Sequence, residues 1–262
     1  MKRILLIFAH TDDESFSCAG TVAKYIRAGW RVDLVCATRG EAGNCGPYNA
    51  LSADRLAHIR QKELEKAGTI LGISTITFLG YFDGKLQNVN PGNLEDVIFQ
   101  KMKEDVPDIV ITSDTTGISN HHDHIKICYA ATFAFQKYAS WIRERMSFVK
   151  EYKEEYKPKL YYTVVPESVI SYLKKKKIIP DTFFGKPVCG TPDKLITTVI
   201  DISRYSGIKK KALMSHISQT DDVKRFFSFP PNPFMKQEYF KMRLWGIREI
   251  YNGNFDRISI KL

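Results

Sequence analysis

Short apolar runs alternate with longer amphipathic stretches over the first 141 residues. The short runs are rich in branched side chains and predict buried strands, whereas apolar residues every three or four positions predict helices. The strands are predicted at residues 4–9, 32–37, 75–79 and 108–112, and the helices at 16–28, 53–71, 94–106 and 125–141. Strands that alternate with helices imply right-handed crossovers. The pattern therefore predicts an α/β fold with a Rossmann-like, doubly wound, mostly parallel sheet and helices on both faces.

The alternation is weaker after residue 141. Further strands are predicted at residues 160–165 and 197–202, helices at 206–217 and 235–249, and an irregular basic loop at 174–191. No glycine- and serine-rich linker and no internal repeat divides the sequence. We expect one domain over residues 1–262, in which residues 1–141 form the core and residues 142–262 complete the fold and wall its pocket.

The composition is that of an ordered globular protein, with 44% hydrophobic and 26% charged residues. No apolar run approaches the ~20 residues needed to cross a bilayer, and the first run is too short for a signal peptide. The five cysteines are scattered, without the paired spacing of a disulfide framework or a cysteine zinc site. We therefore expect a soluble protein in the reducing cytoplasm.

The formal charge of +10 includes lysine runs at residues 174–177 and 209–211. Such a charge could attract nucleic acid, anionic head groups or an acidic small substrate. The runs are not interleaved with aromatic residues that would stack on bases, and charge runs usually form a solvated face. We do not expect nucleic acid as a partner.

Two polar clusters follow predicted strands. The sequence AHTDDE at residues 9–14 follows the first strand, and HHDH at residues 121–124 follows the fourth. Open α/β sheets bind ligands beyond the carboxyl ends of their strands, so the two loops converge if these strands are neighbours. Two histidines and one carboxylate suffice for a catalytic zinc that keeps one position for water, and surplus acids or imidazoles could move protons. Each cluster alone is weak evidence, because an acidic pair after a strand is often only a helix cap.

The two clusters also match a known family. AHTDDE resembles the AHPDDE signature of the PIG-L/LmbE zinc-dependent N-acetylglucosaminyl deacetylases, and HHDH resembles their HPDH motif. The resemblance covers most of the chain, through TRGEAGN at residues 38–44, RQKELEKAGTILGI at 60–73, LGYFDG at 79–84, PDIVIT at 107–112 and KKKALMSHISQ at 209–219. It implies hydrolysis of the acetyl group from an N-acetylglucosamine-type conjugate, a small-molecule partner, to give a free amine and acetate.

The resemblance implies one Zn²⁺ per chain, held by His10, Asp13 and His124. Fe²⁺ is the alternative ion, because it accepts the same two-histidine, one-carboxylate set. His122 could compete as a ligand. It stands where the family motif has proline, as does Thr11 in the first motif.

The same resemblance assigns the chemical steps to three residues. Asp12 would be the general base, His121 would stabilise the oxyanion and act as general acid, and Asp123 would orient the His121 ring and favour its protonated form. Some family members carry an oxyanion-binding tyrosine where this chain has Ser119, so the resemblance does not supply that contribution here.

Three further positions match residues that line the sugar site in the family: Glu41, Arg60 and Asp83. The alternatives are a surface salt bridge for Arg60 and loop or turn capping for the two acids. His216, within the matching helix, has two equal interpretations as a packed histidine or a pocket residue.

Other functions stay open at the level of sequence. The same metal centre could serve an amidase that cleaves a larger N-acyl group or a thiol conjugate. A basic carbohydrate- or nucleic-acid-binding protein with a structural metal is the alternative outside enzymes. The aglycone of the substrate and the formation of a homo-oligomer are also open.

Overall fold

The computed structural model describes residues 1–48, 50–146, 157–228 and 232–250. The strands are β1 (Arg3–Phe8), β2 (Arg31–Thr38), β3 (Thr75–Tyr81), β4 (Ile109–Ser113), β5 (Lys159–Thr163), β6 (Thr182–Phe183), β7 (Lys186–Pro187), β8 (Thr198–Asp201), β9 (Gln237–Trp245) and β10 (Arg248–Glu249). The helices are α1 (Asp13–Ser17), α2 (Ala19–Arg27), α3 (Ala53–Leu71), α4 (Asn93–Asp105), α5 (Gly117–Asn120), α6 (His122–Met146), α7 (Glu167–Lys175), α8 (Ser206–Leu213) and α9 (Thr220–Phe227).

Eight of the described strands form one sheet with the order β10-β9-β5-β4-β1-β2-β3, and β8 pairs with β9. The pairs β2–β3 and β4–β5 are parallel, whereas β9 runs antiparallel to both β5 and β10. The chain builds outward from β1 to β3 and then places β4 on the other side of β1, so the strand order reverses there. The predicted α/β fold with a mostly parallel sheet is confirmed, and the two strands that precede the polar clusters are neighbours.

The chain divides into two compact units. Unit 1 comprises Met1, Leu6–Asn88 and Ile200–Glu238. Its β2 is buried from Val32 onward, as expected of a strand covered on both faces. Helix α8 packs against α2 and α3. The C-terminal segment of unit 1 thus supports the helices that follow β1 and β2.

Unit 2 comprises Lys2–Leu5, Val89–Val199 and the described part of Tyr239–Leu262. Helix α4 packs on α6, and α6 buries the Phe135 and Tyr138 rings. The Tyr138 hydroxyl donates to the Pro107 carbonyl oxygen at 3.0 Å, so the polar end of this buried ring is satisfied. None of the described helices combines the length and the apolar character that crossing a membrane requires.

Three local predictions need correction. The helix predicted at residues 16–28 is two helices that meet at Cys18. The helix predicted at residues 235–249 is wrong, because residues 237–245 form strand β9, which pairs antiparallel with β5. The basic segment at residues 174–191 is not irregular, since it contains the end of α7 and the β6–β7 hairpin.

Candidate functional site

The first motif, residues 9–14, links the end of β1 to the start of α1 in unit 1. Asp13 turns back on this link, and its Oδ2 accepts the backbone N–H groups of Ala9 at 3.1 Å and His10 at 2.9 Å. Both His10 and Asp13 are 8% exposed. Hydrogen bonds to a carboxylate favour its charged form, so the turn holds an oriented anion beside an imidazole.

Asp83 lies beside His10, with its Oδ1 2.9 Å from Nε2 of the ring. Its other oxygen, Oδ2, accepts the Ala42 backbone N–H at 3.2 Å. Burial alone would raise the pKa of Asp83, but the hydrogen bond and charge of His10 and the charge of Arg60 outweigh it and lower the pKa. The structure therefore brings Asp83 to His10, and its backbone contact also fits the capping role considered for it.

Arg60 is buried, at 4% exposure, and is not a surface residue of α3. Its Nη1 donates to the Gly40 carbonyl oxygen at 2.8 Å, and its Nη2 lies 3.2 Å from Asp12 Oδ2. Gly40 has a φ of +71°, and a Cβ there would overlap the guanidinium. The surface salt bridge considered for Arg60 is wrong, and the arginine instead orients Asp12.

Glu41 braces the loop after β2. Its Oε1 accepts the Asp83 backbone N–H at 3.3 Å, and its Oε2 accepts the Arg39 backbone N–H at 3.1 Å. Both bonds go to backbone donors, as the capping alternative expected. A contact between Glu41 and a sugar stays a prediction.

Glu14, the last residue of the first motif, meets His216 in a contact that the sequence did not predict. Glu14 is fully buried and accepts the Ser15 hydroxyl at 2.6 Å, while His216 Nε2 lies 3.4 Å from Glu14 Oε1 and 3.1 Å from Ser15 Oγ. Burial raises the pKa of Glu14. Burial lowers the pKa of His216, but the hydrogen bond and charge of Glu14 outweigh it, and the pKa is raised. His216 is thus a packed residue, 1% exposed, that also lines a cavity of about 650 Å³.

The matching segments at residues 38–44, 60–73 and 209–219 touch each other within unit 1. Glu63 accepts the Ser218 backbone N–H at 2.8 Å and its hydroxyl at 2.6 Å, and Gln219 Nε2 donates to the Asn44 carbonyl oxygen at 2.8 Å. These residues are separated by more than 150 positions in sequence. The separation explains why sequence reasoning assigned them no shared role.

In unit 2, the loop after β4 is organised by Asp114. Its Oδ1 accepts the Thr116 hydroxyl at 2.7 Å, the Thr116 backbone N–H at 3.1 Å and the Ile118 backbone N–H at 3.2 Å. Burial is the main cause that raises the pKa of Asp114. Ile118 and Asn120 have φ angles of 61° and 59°, which are uncommon for residues other than glycine and a true outlier for isoleucine.

The second motif, residues 121–124, begins α6. His124 Nδ1 lies 3.0 Å from the Gly117 carbonyl oxygen. A carbonyl can only accept, so Nδ1 carries the proton in this contact, and Nε2 is the nitrogen of the neutral ring that carries no hydrogen. His121 has the opposite arrangement, because its Nδ1 accepts the Asp123 backbone N–H at 3.2 Å. The Asp123 side chain is fully buried.

The predicted residues divide between the units. Unit 1 contains His10, Asp12, Asp13, Glu41, Arg60 and Asp83, and unit 2 contains His121, Asp123 and His124. Histidine and aspartate side chains among the described residues are grouped so that they could hold a metal ion. Imidazole nitrogen and carboxylate oxygen are donors that both zinc and ferrous iron accept, so this donor set fits either cation.

The chain belongs to the PIG-L family, described as GlcNAc-PI de-N-acetylase, which matches residues 5–135. The family predicted from the motifs is confirmed. This family is of the metal-dependent deacetylase type.

Some curated relatives match nearly the whole chain, and another matches about half of it. A 1D-myo-inositol 2-acetamido-2-deoxy-alpha-D-glucopyranoside deacetylase of Catenulispora acidiphila is 30% identical over 92% of this chain and 83% of its own length. A probable N-acetyl-alpha-D-glucosaminyl L-malate deacetylase of Bacillus anthracis is 37% identical over 47% of this chain and 54% of its own length. Both relatives are named for removing acetyl groups from N-acetylglucosamine conjugates.

Solved structures share the fold at lower identity. The N,N'-diacetylchitobiose deacetylase of Pyrococcus horikoshii superposes with a TM-score of 0.60 at 22% identity, covering 94% of this chain and 85% of that one. The 4-carboxy-2-hydroxymuconate hydratase of Pseudomonas putida superposes with a TM-score of 0.63 at 16% identity, covering 96% and 100%. Because a hydratase shares the fold, the reaction must be argued from the site.

Proposed function

We propose that this chain is a zinc-dependent hydrolase that removes the acetyl group from an N-acetylglucosamine conjugate. The observation that carries the proposal is the contact of His124 Nδ1 with the Gly117 carbonyl oxygen, because histidines that ligate a metal commonly donate their other ring N–H to a carbonyl. The named activities of the relatives support the reaction class.

Histidine nitrogens and aspartate oxygens among the described residues are the donors for the cation. The family motif names Asp13 as the carboxylate ligand. The backbone N–H groups that bind Asp13 Oδ2 orient that carboxylate and favour its charge, which supports its role as third ligand. We therefore assign His10, Asp13 and His124 to the cation and keep His121 for proton transfer.

When bound, the cation would polarise the acetyl carbonyl and make water a stronger nucleophile. Asp12, held by Arg60, takes the proton from the attacking water. His121 stabilises the oxyanion and then donates a proton to the departing nitrogen. In the structure its Nδ1 accepts the Asp123 backbone N–H, so the N–H of the neutral ring is at Nε2, and Nδ1 must also gain a proton before Nε2 can donate one. The products are acetate and a free amino sugar.

The substrate class is an N-acetylglucosamine joined to a polar aglycone. The inositol and malate conjugates named in the relatives are the first two candidates. An anionic aglycone such as malate agrees with the net charge of +10, although net charge does not locate a pocket. Glu41, Arg60 and Asp83 are proposed as neighbours of the sugar, with Arg60 acting mainly through Asp12. A cytoplasmic location stays a prediction.

The test combines acetate release with metal analysis of the purified protein. We expect acetate from N-acetylglucosaminyl-inositol or N-acetylglucosaminyl-malate, and about one zinc or iron per chain. Analogues with a bulkier N-acyl group should react more slowly, and a preference for them would favour the amidase alternative. A metal-replete protein that is inactive on every amide would overturn the proposal.

Three variants test the ligand assignment. His124→Ala should lose the metal, whereas His122→Ala, the matched control at the neighbouring histidine, should keep it. Asp13→Asn should weaken metal binding more than His121→Gln. If His121→Gln weakens metal binding more than Asp13→Asn does, His121 rather than Asp13 is the third ligand.

A further inference from the structure

A two-residue hairpin in unit 2 ends in an aromatic side chain. Strands β6 and β7 pair antiparallel, with Phe183 opposite Lys186, so Phe184 and Gly185 form the turn. Their φ angles are 50° and 71°, and positive values at both central positions are typical of a type I′ turn. Phe184 is 56% exposed. The hairpin therefore presents a large apolar ring to solvent.

Phenylalanine is an unfavourable residue at this turn position. Type I′ turns favour asparagine, aspartate or glycine, because a side chain with a bulky Cβ substituent is strained at positive φ. Solubility does not favour an aromatic side chain that is 56% exposed, and the turn does not favour phenylalanine. An unfavourable conformation that persists beside a candidate active site is a reason to look for a function.

The hairpin is fixed to the loop that precedes the second motif. Asn120 Nδ2 donates to the Pro187 and Lys186 carbonyl oxygens at 3.0 and 3.2 Å, and lies 3.4 Å from the Phe183 carbonyl oxygen. Asn120 itself has a φ of 59° and directly precedes His121. The backbone of the hairpin is thus anchored to the segment that carries the histidines.

The Phe184 ring lies against two of those histidines. Its centroid is 5.3 Å from that of His121, edge to face at 85°, and 5.7 Å from that of His122. The His121 and His124 rings are 5.0 Å apart. The exposed aromatic side chain therefore stands next to the histidine to which we assign proton transfer.

We propose that Phe184 is a specificity-determining residue that packs against the sugar ring of the substrate. This inference rests on the proposed function. A pyranose presents a face of C–H groups, and an aromatic ring offers a rigid apolar surface with a negative π-face that suits such hydrogens. A conjugate whose acetamide carbonyl is near His121 would bring its sugar ring to Phe184. The ring would then contribute to binding, while the chemical step stays with the motif residues.

Three substitutions at Phe184 separate the effect of the aromatic ring on binding from the effect of the strained turn on stability. Phe184→Tyr keeps an aromatic face, Phe184→Leu removes it but keeps the strain, and Phe184→Asn removes it and suits the positive φ. We expect the KM for N-acetylglucosaminyl-inositol or N-acetylglucosaminyl-malate to rise about three- to tenfold in the leucine and asparagine variants, with kcat within about twofold. The tyrosine variant should resemble the wild type. Thermal stability should depend on how well each residue tolerates the positive φ of the turn, so the asparagine variant should be the most stable.

Binding is measured in parallel on the metal-free protein. Calorimetric titration with the same conjugates should show the same loss of affinity in the leucine and asparagine variants, and metal content should be unchanged in all three. Unchanged KM and binding constants in both would overturn the inference while leaving the deacetylase proposal intact. A fall in kcat alone would instead mean that Phe184 only supports His121. If the wild-type protein binds the conjugates without releasing acetate, the proposed function is overturned. The binding titrations of the variants then still decide whether Phe184 contributes to sugar binding.

Discussion

The two motifs are held in place in different ways. No residue of the first motif has a positive φ angle, and its acids are fixed by side-chain contacts such as Asp12 with Arg60 and Glu14 with Ser15. The second motif follows a strained segment, because Ile118 and Asn120 have positive φ angles. The difference shows that unit 1 positions its groups by charge and hydrogen bonding, and that unit 2 positions its groups partly by backbone conformation.

The largest expected effect concerns the first motif, whose groups are held by charge and hydrogen bonding. Asp12→Asn removes the proposed base but keeps the shape of the side chain, so kcat/KM should fall about 10³-fold. Metal content, measured by elemental analysis, should stay at the wild-type level. A rate near that of the wild type would exclude Asp12 as the base.

The second effect concerns the buried ion pair behind α1 and α2. Glu238 and Lys209 are both 1% or less exposed, with Nζ 2.7 Å from Oε1, and Glu238 also accepts the Gly20 and Thr21 backbone N–H groups. Glu238→Gln leaves a buried ammonium without its anion and should lower the free energy of unfolding by about 3 kcal/mol. Urea denaturation measures the loss.

A surface pair gives the matched control. Lys224 and Asp221 are about three-quarters exposed and 3.9 Å apart, so Lys224→Ala should leave stability within about 0.5 kcal/mol of the wild type. Equal losses in the two variants would mean that the buried pair does not brace unit 1.

The third prediction separates the effect of backbone strain at a glycine with positive φ from the effect of displacing the Arg60 side chain. Gly40→Ala places a Cβ on the Arg60 guanidinium at a φ of +71°, so it should cost about 2 kcal/mol and lower kcat/KM about tenfold by moving Arg60 away from Asp12. Gly29 has a φ of +85°, and a Cβ there would meet nothing within 4 Å apart from its chain neighbours, so Gly29→Ala should cost about 1 kcal/mol with unchanged kcat/KM. Parallel kinetics and thermal melts check both. Loss of activity in both variants would show that strain alone is responsible.

The same contrast explains what could be predicted from the sequence. Helix α3 begins and ends at the predicted residues, because Ser52 caps its start and Gly72, with a φ of +86°, caps its end. Strand β9 was mistaken for a helix because the buried Glu238 interrupts its apolar alternation. The first polar cluster was found because it directly follows a strand, and the second because it lies a few residues after another.

Contacts between distant segments were out of reach. His216 meets Glu14 and Ser15 about 200 residues earlier, and no local pattern signals that meeting. Phe184 gave no signal either, since a phenylalanine followed by glycine in a basic segment does not suggest a hairpin beside a histidine. Backbone strain depends on the folded structure, so it could not be predicted from composition or periodicity.

The smallest expected effect tests the strained segment directly. Ile118→Gly relieves a φ of 61° that is costly for a β-branched residue, so stability should rise by up to about 1 kcal/mol, partly offset by the greater freedom of glycine in the unfolded chain. Val106, with a φ of 44° at the end of α4, gives a control, and Val106→Gly should be similarly neutral to stabilising.

If strain positions the second motif, only Ile118→Gly should also lower kcat and metal affinity, because the loop that presents His121 and His124 becomes free to relax. Thermal melts and metal titration of the two variants measure this, and equal behaviour in both would mean that the strain near the histidines has no part in positioning them.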